Sequence, residues 1–272
     1  MSSTLLDLGF FEIKWYSALI LLAFIIGYGL VISRCKKKGL NTTKISDMCF
    51  YLVIVCILGA RLYYCLFNLD YYLNDILEIF KIWNGGLAIH GGIIAGIIFI
   101  FFYTRKHDIT LLDVLDVFAP ALVLGQAIGR WGNFFNQEAF GPLLDKVNPN
   151  NPAFLQSLHI PEFIIDGMYI DDPFKVAIPG YYHPTFLYES LGCLLIFIII
   201  LVIRNIKAIK PGQVAAIYFI GYGILRFLIE SLREDSLMLL NLKVAQLVSI
   251  IMIVVGIILF ILPYIKRLKK SS

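Results

Sequence analysis

Charge is scarce in this chain. Of its 272 residues 15% are Asp, Glu, Lys or Arg and 59% are hydrophobic, against about 25% and 45–50% in an ordinary soluble domain. With a mean hydropathy of +0.81, a water-soluble fold of this size would lack the polar residues to cover its surface. Cysteine is sparse as well: Cys35, Cys49, Cys56, Cys65 and Cys193 include no CxxC pair, which argues against a zinc site or a disulfide framework. They read as small hydrophobes in or beside apolar segments. Missing too are HExxH, a P-loop and a GxSxG elbow, any convincing internal repeat and any Gly/Ser linker. No metal and no cofactor is expected.

What the chain has instead is long apolar runs. In lipid no water satisfies an exposed backbone group, so a spanning element is a helix or part of a closed barrel. Barrel strands alternate apolar and polar residues, and these runs do not. A hydrocarbon core of roughly 30 Å needs about 20 helical residues. Seven windows meet that: Trp15 to Ser33, Ile45 to Phe67, Leu87 to Thr104, Leu111 to Arg130, Pro184 to Ile203, Val214 to Leu232 and Val244 to Ile265. The expected fold is an all-α polytopic membrane protein, residues 1–272 forming one membrane-embedded domain. Asp7 and Glu12 precede the first window and no basic start does, so it reads as a retained helix and not a cleaved signal.

Basic residues fix the expected orientation, because short positively charged loops stay in the cytoplasm. Arg34, Lys36, Lys37, Lys38 and Lys44, then Arg105 and Lys106, Arg204, Lys207 and Lys210, and Lys266, Arg267, Lys269 and Lys270 make fourteen of twenty-three, all on one side. The N-terminus is then outside and the C-terminus cytoplasmic. The net charge of +4 is a topology signal, and no nucleic-acid partner is expected. The longest break, 140–183, carries Pro142, Pro149, Pro152, Pro161, Pro173 and Pro179. It reads as a small extracytoplasmic subdomain of short strands and turns between helices four and five.

An ionisable side chain inside a bilayer costs a few kcal/mol or more, so each one here is a functional candidate. His90 lies among glycines in Gly85-Gly86-Leu87-Ala88-Ile89-His90-Gly91-Gly92. Either a ligand approaches the imidazole where bulk is missing, or the glycines serve helix packing and a neighbouring carbonyl satisfies the ring. Helix four ends in the polar run Gly129 to Gly141, with Gln126, Arg130 and Asn133 on one face. Asp116 is roughly 21 Å from Arg130 along that helix, too far to pair, and takes a structural role near Pro120. Tyr222, Arg226 and Glu230, with Arg233 beyond, form a polar stripe on helix six, which reads as a cavity lining or as an ion pair that locks packing. Glu189 needs a basic partner from helix four or six. Together these groups leave a surplus of arginine, which calls for an anionic occupant, and phospholipid is the anion always present.

The run Gly129-Arg130-Trp131-Gly132-Asn133-Phe134-Phe135-Asn136-Gln137-Glu138-Ala139-Phe140-Gly141 is similar at every fixed position to GRxGNFxNxExxG, a signature of bacterial prolipoprotein diacylglyceryl transferases. The resemblance extends to His90-Gly91-Gly92, to the run from His183 to Glu189, and to Tyr222 through Arg233, covering essentially the whole chain. Phe186 stands where that family usually has glutamine, and Lys14 and Ser17 flank Trp15-Tyr16 where histidine and glycine are frequent.

The resemblance implies transfer of the diacylglyceryl group of phosphatidylglycerol to the lipobox cysteine of preprolipoproteins, at the bacterial cytoplasmic membrane, with glycerol phosphate released. By the same resemblance, His90, Arg130 and Arg226 are the candidate catalytic residues. His90 is a base for the thiol, with a nearby arginine lowering the thiol pKa as the alternative, and the arginines stabilise the departing phosphate. Tyr16, Asn133, Asn136, Glu138, Gly141, Tyr222, Glu230 and Arg233 are candidate substrate-binding residues, and Glu189 a supporting one. A transporter for an anionic solute would also want arginines in a membrane cavity, but usually shows paired halves.

Overall fold

The computed structural model describes residues 3–9, 12–233, 238–239 and 242–271. Two strands, β1 (Thr4–Asp7) and β2 (Glu12–Lys14), precede helix α1 (Trp15–Lys38). Helix α2 (Thr42–Leu66) follows, then the short α3 (Leu69–Asn74) and two 3₁₀ turns, Ile76–Phe80 and Ile82–Asn84. Next come α4 (Ile89–Lys106) and α5 (Leu111–Asn136), the short α6 (Ala153–Ser157) and α7 (Glu162–Gly167), and the strand pair β3 (Tyr169–Ile170) and β4 (Gly180–Tyr181). The chain ends with α8 (Thr185–Ile203), α9 (Gln213–Leu232), the strands β5 (Met238–Leu239) and β6 (Leu242–Lys243), and α10 (Val244–Ser271). Among the described residues, seven helices are long and apolar enough to span a membrane, and the sheets are three separate two-stranded pairs. The expected polytopic helical fold is therefore present.

Contacts divide the described residues into two compact units, Val31–Val117 and the combination of Met1–Leu30 with Phe118–Ser272. In the first, α2 and α4 meet along glycines. A Cβ on Gly59 would lie 2.3 Å from the Cβ of Ala95, and one on Gly91 would lie 2.4 Å from the carbonyl oxygen of Gly59. Small residues let two backbones approach where no hydrophobic force acts between helices in lipid. Arg61, buried on α2, donates to the carbonyls of Ile79 (2.9 Å), Gly85 (2.7 Å) and Gly86 (3.1 Å) and lies over the Tyr72 ring. One guanidinium thus holds the α2–α4 connection. Gly85 and Gly86 both have positive φ there, which glycine adopts without steric cost. Lys38 pairs with Asp113 (2.8 Å) and with buried Asp116 (3.5 Å), the structural role expected of Asp116.

In the other unit, Ala119, Val123 and Ala127 of α5 pack with Cys193, Ile196 and Ile200 of α8 and with Val214, Tyr218 and Tyr222 of α9. The connection from α5 to α8 holds the expected short strands, β3 paired with β4, and turns, and adds two short helices that begin after Pro152 and Pro161. Its own apolar core includes Leu155, Ile164, Met168 and Ile170, with Phe134 and Phe186 from the long helices. Backbone N–H groups of Asn148 and Val147 hold the Asp145 carboxyl below its ordinary range.

The α2–α4 contact gives the first prediction. Gly91→Ala forces two backbones apart and should destabilise the protein by about 2–4 kcal/mol. Gly29→Ala meets no atom within 4 Å of the new Cβ and should be neutral or slightly stabilising. Thermal unfolding of the two variants in one detergent compares them directly.

Candidate functional site

The end of α5 aims the polar run. Gln137 has φ 48° and sits just past the helix; its N–H bonds the Phe134 carbonyl, and the Glu138 N–H bonds the Asn133 carbonyl. This is the Schellman pattern, which usually places glycine in the left-handed position. Glutamine here costs about 1–3 kcal/mol of backbone strain, offset by its side-chain amide, which donates to the carbonyls of Gly167 (3.1 Å) and Tyr169 (3.0 Å). The turn brings Glu138 back so that Oε1 accepts from Asn133 (2.9 Å) and Asn136 (3.2 Å). Lys175 donates to the Asn136 carbonyl at 2.8 Å.

Arg130 links this turn to α8. It donates through Nη1 to Asn133 Oδ1 (3.0 Å) and through Nη2 to Glu189 Oε1 (2.9 Å). The same Glu189 oxygen accepts from the Tyr222 hydroxyl at 3.1 Å. Its other oxygen lies 3.5 Å from Nη1 of Arg226, whose Nη2 lies 2.6 Å from Oε2 of Glu230. One carboxylate from α8 therefore joins guanidiniums from α5 and α9, and the partner expected for Glu189 is two arginines. The spacing of four along α9 makes the Arg226–Glu230 pair, which had been one of two readings of that stripe.

The expected surplus of arginine is not what the structure holds. Arg130 and Arg226 face Glu189 and Glu230, so this core is balanced in formal charge. Its layering matters more. The carboxylate side chains are 2% and 3% exposed, while the arginine side chains are 21% and 16% exposed. The carboxylates stand behind and the guanidiniums in front. A guanidinium has five N–H donors, so each arginine can keep its carboxylate and still present donors to an incoming anion.

Other candidates have different surroundings. Tyr16 lies across Gly132, where a Cβ would come within 2.5 Å of its ring, while Trp15 stacks on Phe135. Gly141 is a close-approach position: a Cβ there would meet His183, Thr185 and the Leu232 carbonyl at 2.8–3.3 Å. Burial pushes the His183 imidazole below its ordinary value. Arg233 caps α9, and Lys243 donates to the carbonyls of Glu230 and Arg233 at 2.7 and 2.6 Å. Phe186, where the resemblance leads one to expect glutamine, is buried and stacks on Phe134 at 4.6 Å. His90 belongs to the Val31–Val117 unit. Its ring is exposed, lies 6.4 Å from that of Tyr63, and makes no hydrogen bond among the described residues. The adjoining Gly91 serves helix packing, one of the two readings of those glycines.

Sequence reasoning passed over Arg61, Tyr218 and Lys243. Tyr218 carried a signal, since it stands four residues before Tyr222 on the same stripe and accepts from Gln126 at 3.0 Å. Arg61 and Lys243 bond to backbone carbonyls that no side-chain pattern reveals.

Removing the shared carboxylate leaves two partly buried guanidiniums facing one another. Glu189→Leu should therefore cost about 3–5 kcal/mol, whereas Glu189→Gln, which retains an acceptor, should cost less. Thermal unfolding in detergent, with Cys193→Ala as a packing control, checks the order.

A family model described as prolipoprotein diacylglyceryl transferase matches residues 3–262. A protein of Streptococcus suis named phosphatidylglycerol–prolipoprotein diacylglyceryl transferase is 43% identical over 273 residues, covering 100% of this chain and 94% of its own length. Proteins of the same name from Staphylococcus haemolyticus (42% identical, 97% of this chain and 88% of theirs) and Thermotoga maritima (41%, 94% and 83%) are similar throughout. On the family match and on these full-length similarities, the chain belongs to the prolipoprotein diacylglyceryl transferase family.

Proposed function

We propose that this transferase moves the sn-1,2-diacylglyceryl group of phosphatidylglycerol to the lipobox cysteine of preprolipoproteins. A thioether forms and glycerol phosphate is released. The observation that carries the reading is the pair of guanidiniums, Arg130 and Arg226, joined by Glu189 between apolar helices. In the step itself the cysteine sulfur bonds to the glyceryl carbon that bears the phosphate oxygen. The carbon–oxygen bond breaks, and its electron pair departs on the phosphate. Donors fixed in advance where that charge grows lower the barrier, most effectively where water is scarce.

The remaining roles follow from chemistry. The thiol of a free cysteine, with a pKa of about 8.5, is mostly protonated at neutral pH, and its proton passes to His90 acting as base or is lost to solvent under the influence of an arginine. Asn133, Asn136 and Glu138 form a hydrogen-bonded patch beside Arg130 suited to the hydroxyls of a glycerol headgroup. Tyr222 and Glu230 orient Arg226, Arg233 guides headgroup or signal peptide, Tyr16 stands at the entrance and Gly141 keeps the closing turn tight. The enzyme works in the bacterial cytoplasmic membrane with its N-terminus outside and its C-terminus inside. The distribution of basic loops supports that orientation, and residues 140–183 then form an extracytoplasmic subdomain within a single domain.

Purified protein, labelled phosphatidylglycerol and a synthetic lipobox peptide test the reading, with the diacylglyceryl mass increment on cysteine as readout. Arg130→Ala should lose at least about 100-fold in turnover, the scale of removing a transition-state donor. Near-normal turnover would remove Arg130 from the mechanism. His90→Asn in the same assay separates the two routes for the thiol proton: a large loss supports the imidazole and full activity supports the arginine.

A further inference from the structure

One helical turn before the ion-pair cluster lies a second polar pair. Gln126 stands four residues before Arg130 on α5, and Tyr218 four before Tyr222 on α9. At 1.5 Å per residue each is about 6 Å further along its helix toward the basic-loop end. The Gln126 amide nitrogen is 3.0 Å from the Tyr218 hydroxyl. The Tyr218 ring lies parallel to that of Tyr222, centroids 5.9 Å apart, and the Tyr222 hydroxyl reaches Glu189. The pair is thereby tied to the cluster through one stacked contact.

Its hydrogen bonding is incomplete. The Gln126 amide oxygen, as placed, is buried and has no partner among the described residues. Such an unpaired end costs about 1–3 kcal/mol, and the buried cluster that holds Tyr218 is largely apolar, with Val123, Ala127, Cys193 and Ile196 among its members. Oxygen and nitrogen of a glutamine amide exchange places by a half-turn. With the Tyr218 hydroxyl donating to the amide oxygen, the phenol proton is satisfied as well, and the end left over is an NH₂ group that needs an acceptor. Hydrocarbon supplies none. A diacylglyceryl group does, in its two ester carbonyls, which accept and cannot donate; the nearer belongs to the ester on the carbon adjoining the one that carries the phosphate.

We infer that the Gln126 amide, oriented by Tyr218, forms a subsite that donates a hydrogen bond to an ester carbonyl of the diacylglyceryl group, one turn beneath the guanidiniums that take the phosphate. The inference rests on the transfer reaction proposed above. It makes Gln126 a specificity residue that distinguishes an acyl ester from an alkyl ether in the lipid donor.

The experiment compares transfer to a lipobox peptide from diester phosphatidylglycerol and from its 1,2-di-O-alkyl analogue, as kcat/KM, in wild type, Gln126→Leu and Tyr218→Phe. An ether alters the reactivity of the glyceryl carbon equally in all three proteins, so the change in the ester-to-ether ratio isolates the amide. Wild type should favour the ester by about tenfold more than Gln126→Leu does, the scale of one hydrogen bond in a dry site. Tyr218→Phe, which keeps the stacked ring, should fall between. A ratio unchanged in Gln126→Leu, or in Tyr218→Phe should the leucine variant not fold, would overturn the subsite. No transfer by wild type from either lipid would overturn the reaction on which it rests.

Discussion

A carboxylate among membrane helices persists only where cations meet it, and Glu189 meets two. Its oxygens divide the work: one accepts from Arg130 and Tyr222, the other lies against Arg226. Without that division the α5 and α9 arginines would have no common reference, since their own helices bear different neighbours, Asn133 on one and Glu230 on the other. The result is a charge-balanced cluster with guanidiniums forward and carboxylates behind. An incoming phosphate need not find an excess of positive charge; it needs donors that are already aimed, because reorganisation inside a low-dielectric site is what costs most.

That cluster depends on helices whose contacts carry little polar information. Glycine lets α9 and α10 approach at two levels, Gly223 against Ile253 and Gly256 against Ile220, so the helix bearing Tyr222 and Arg226 is held by close packing against α10. At its end Lys243 takes up the carbonyls of Glu230 and Arg233, a cation placed where the helix dipole favours one. On α5 the strained Gln137 turn sends Glu138 back toward Asn133. Each device fixes one edge of the site, and the middle follows from the shared carboxylate.

Much of this was legible in the residues, for a physical reason. Lipid admits few element types, so long apolar runs located seven helices to within a few residues of their observed ends; the ends themselves shifted because α1 and α5 continue as helix into polar sequence, to Lys38 and Asn136. Helical spacing also put Arg226 and Glu230 together. What spacing could not supply was the distance between helices, so the sequence reading counted two arginines as a surplus although Glu189 and Glu230 balance them. Nor could it see side chain to backbone bonds: Arg61 on Ile79, Gly85 and Gly86, and Gln137 on Gly167 and Tyr169, have no partner whose residue type betrays them. Phe186 is the reverse case, a departure from the glutamine that the resemblance leads one to expect, which packing against Phe134 and Trp131 makes intelligible.

The most direct measurement of the shared-carboxylate account is a double-mutant cycle on transfer, combining Arg130→Lys with Glu189→Gln and reading kcat/KM for phosphatidylglycerol and a lipobox peptide. If Glu189 is what aims Arg130, the two changes do not add, and the coupling reaches about 1 kcal/mol or more. Additive losses, agreeing within about 0.5 kcal/mol, would contradict it.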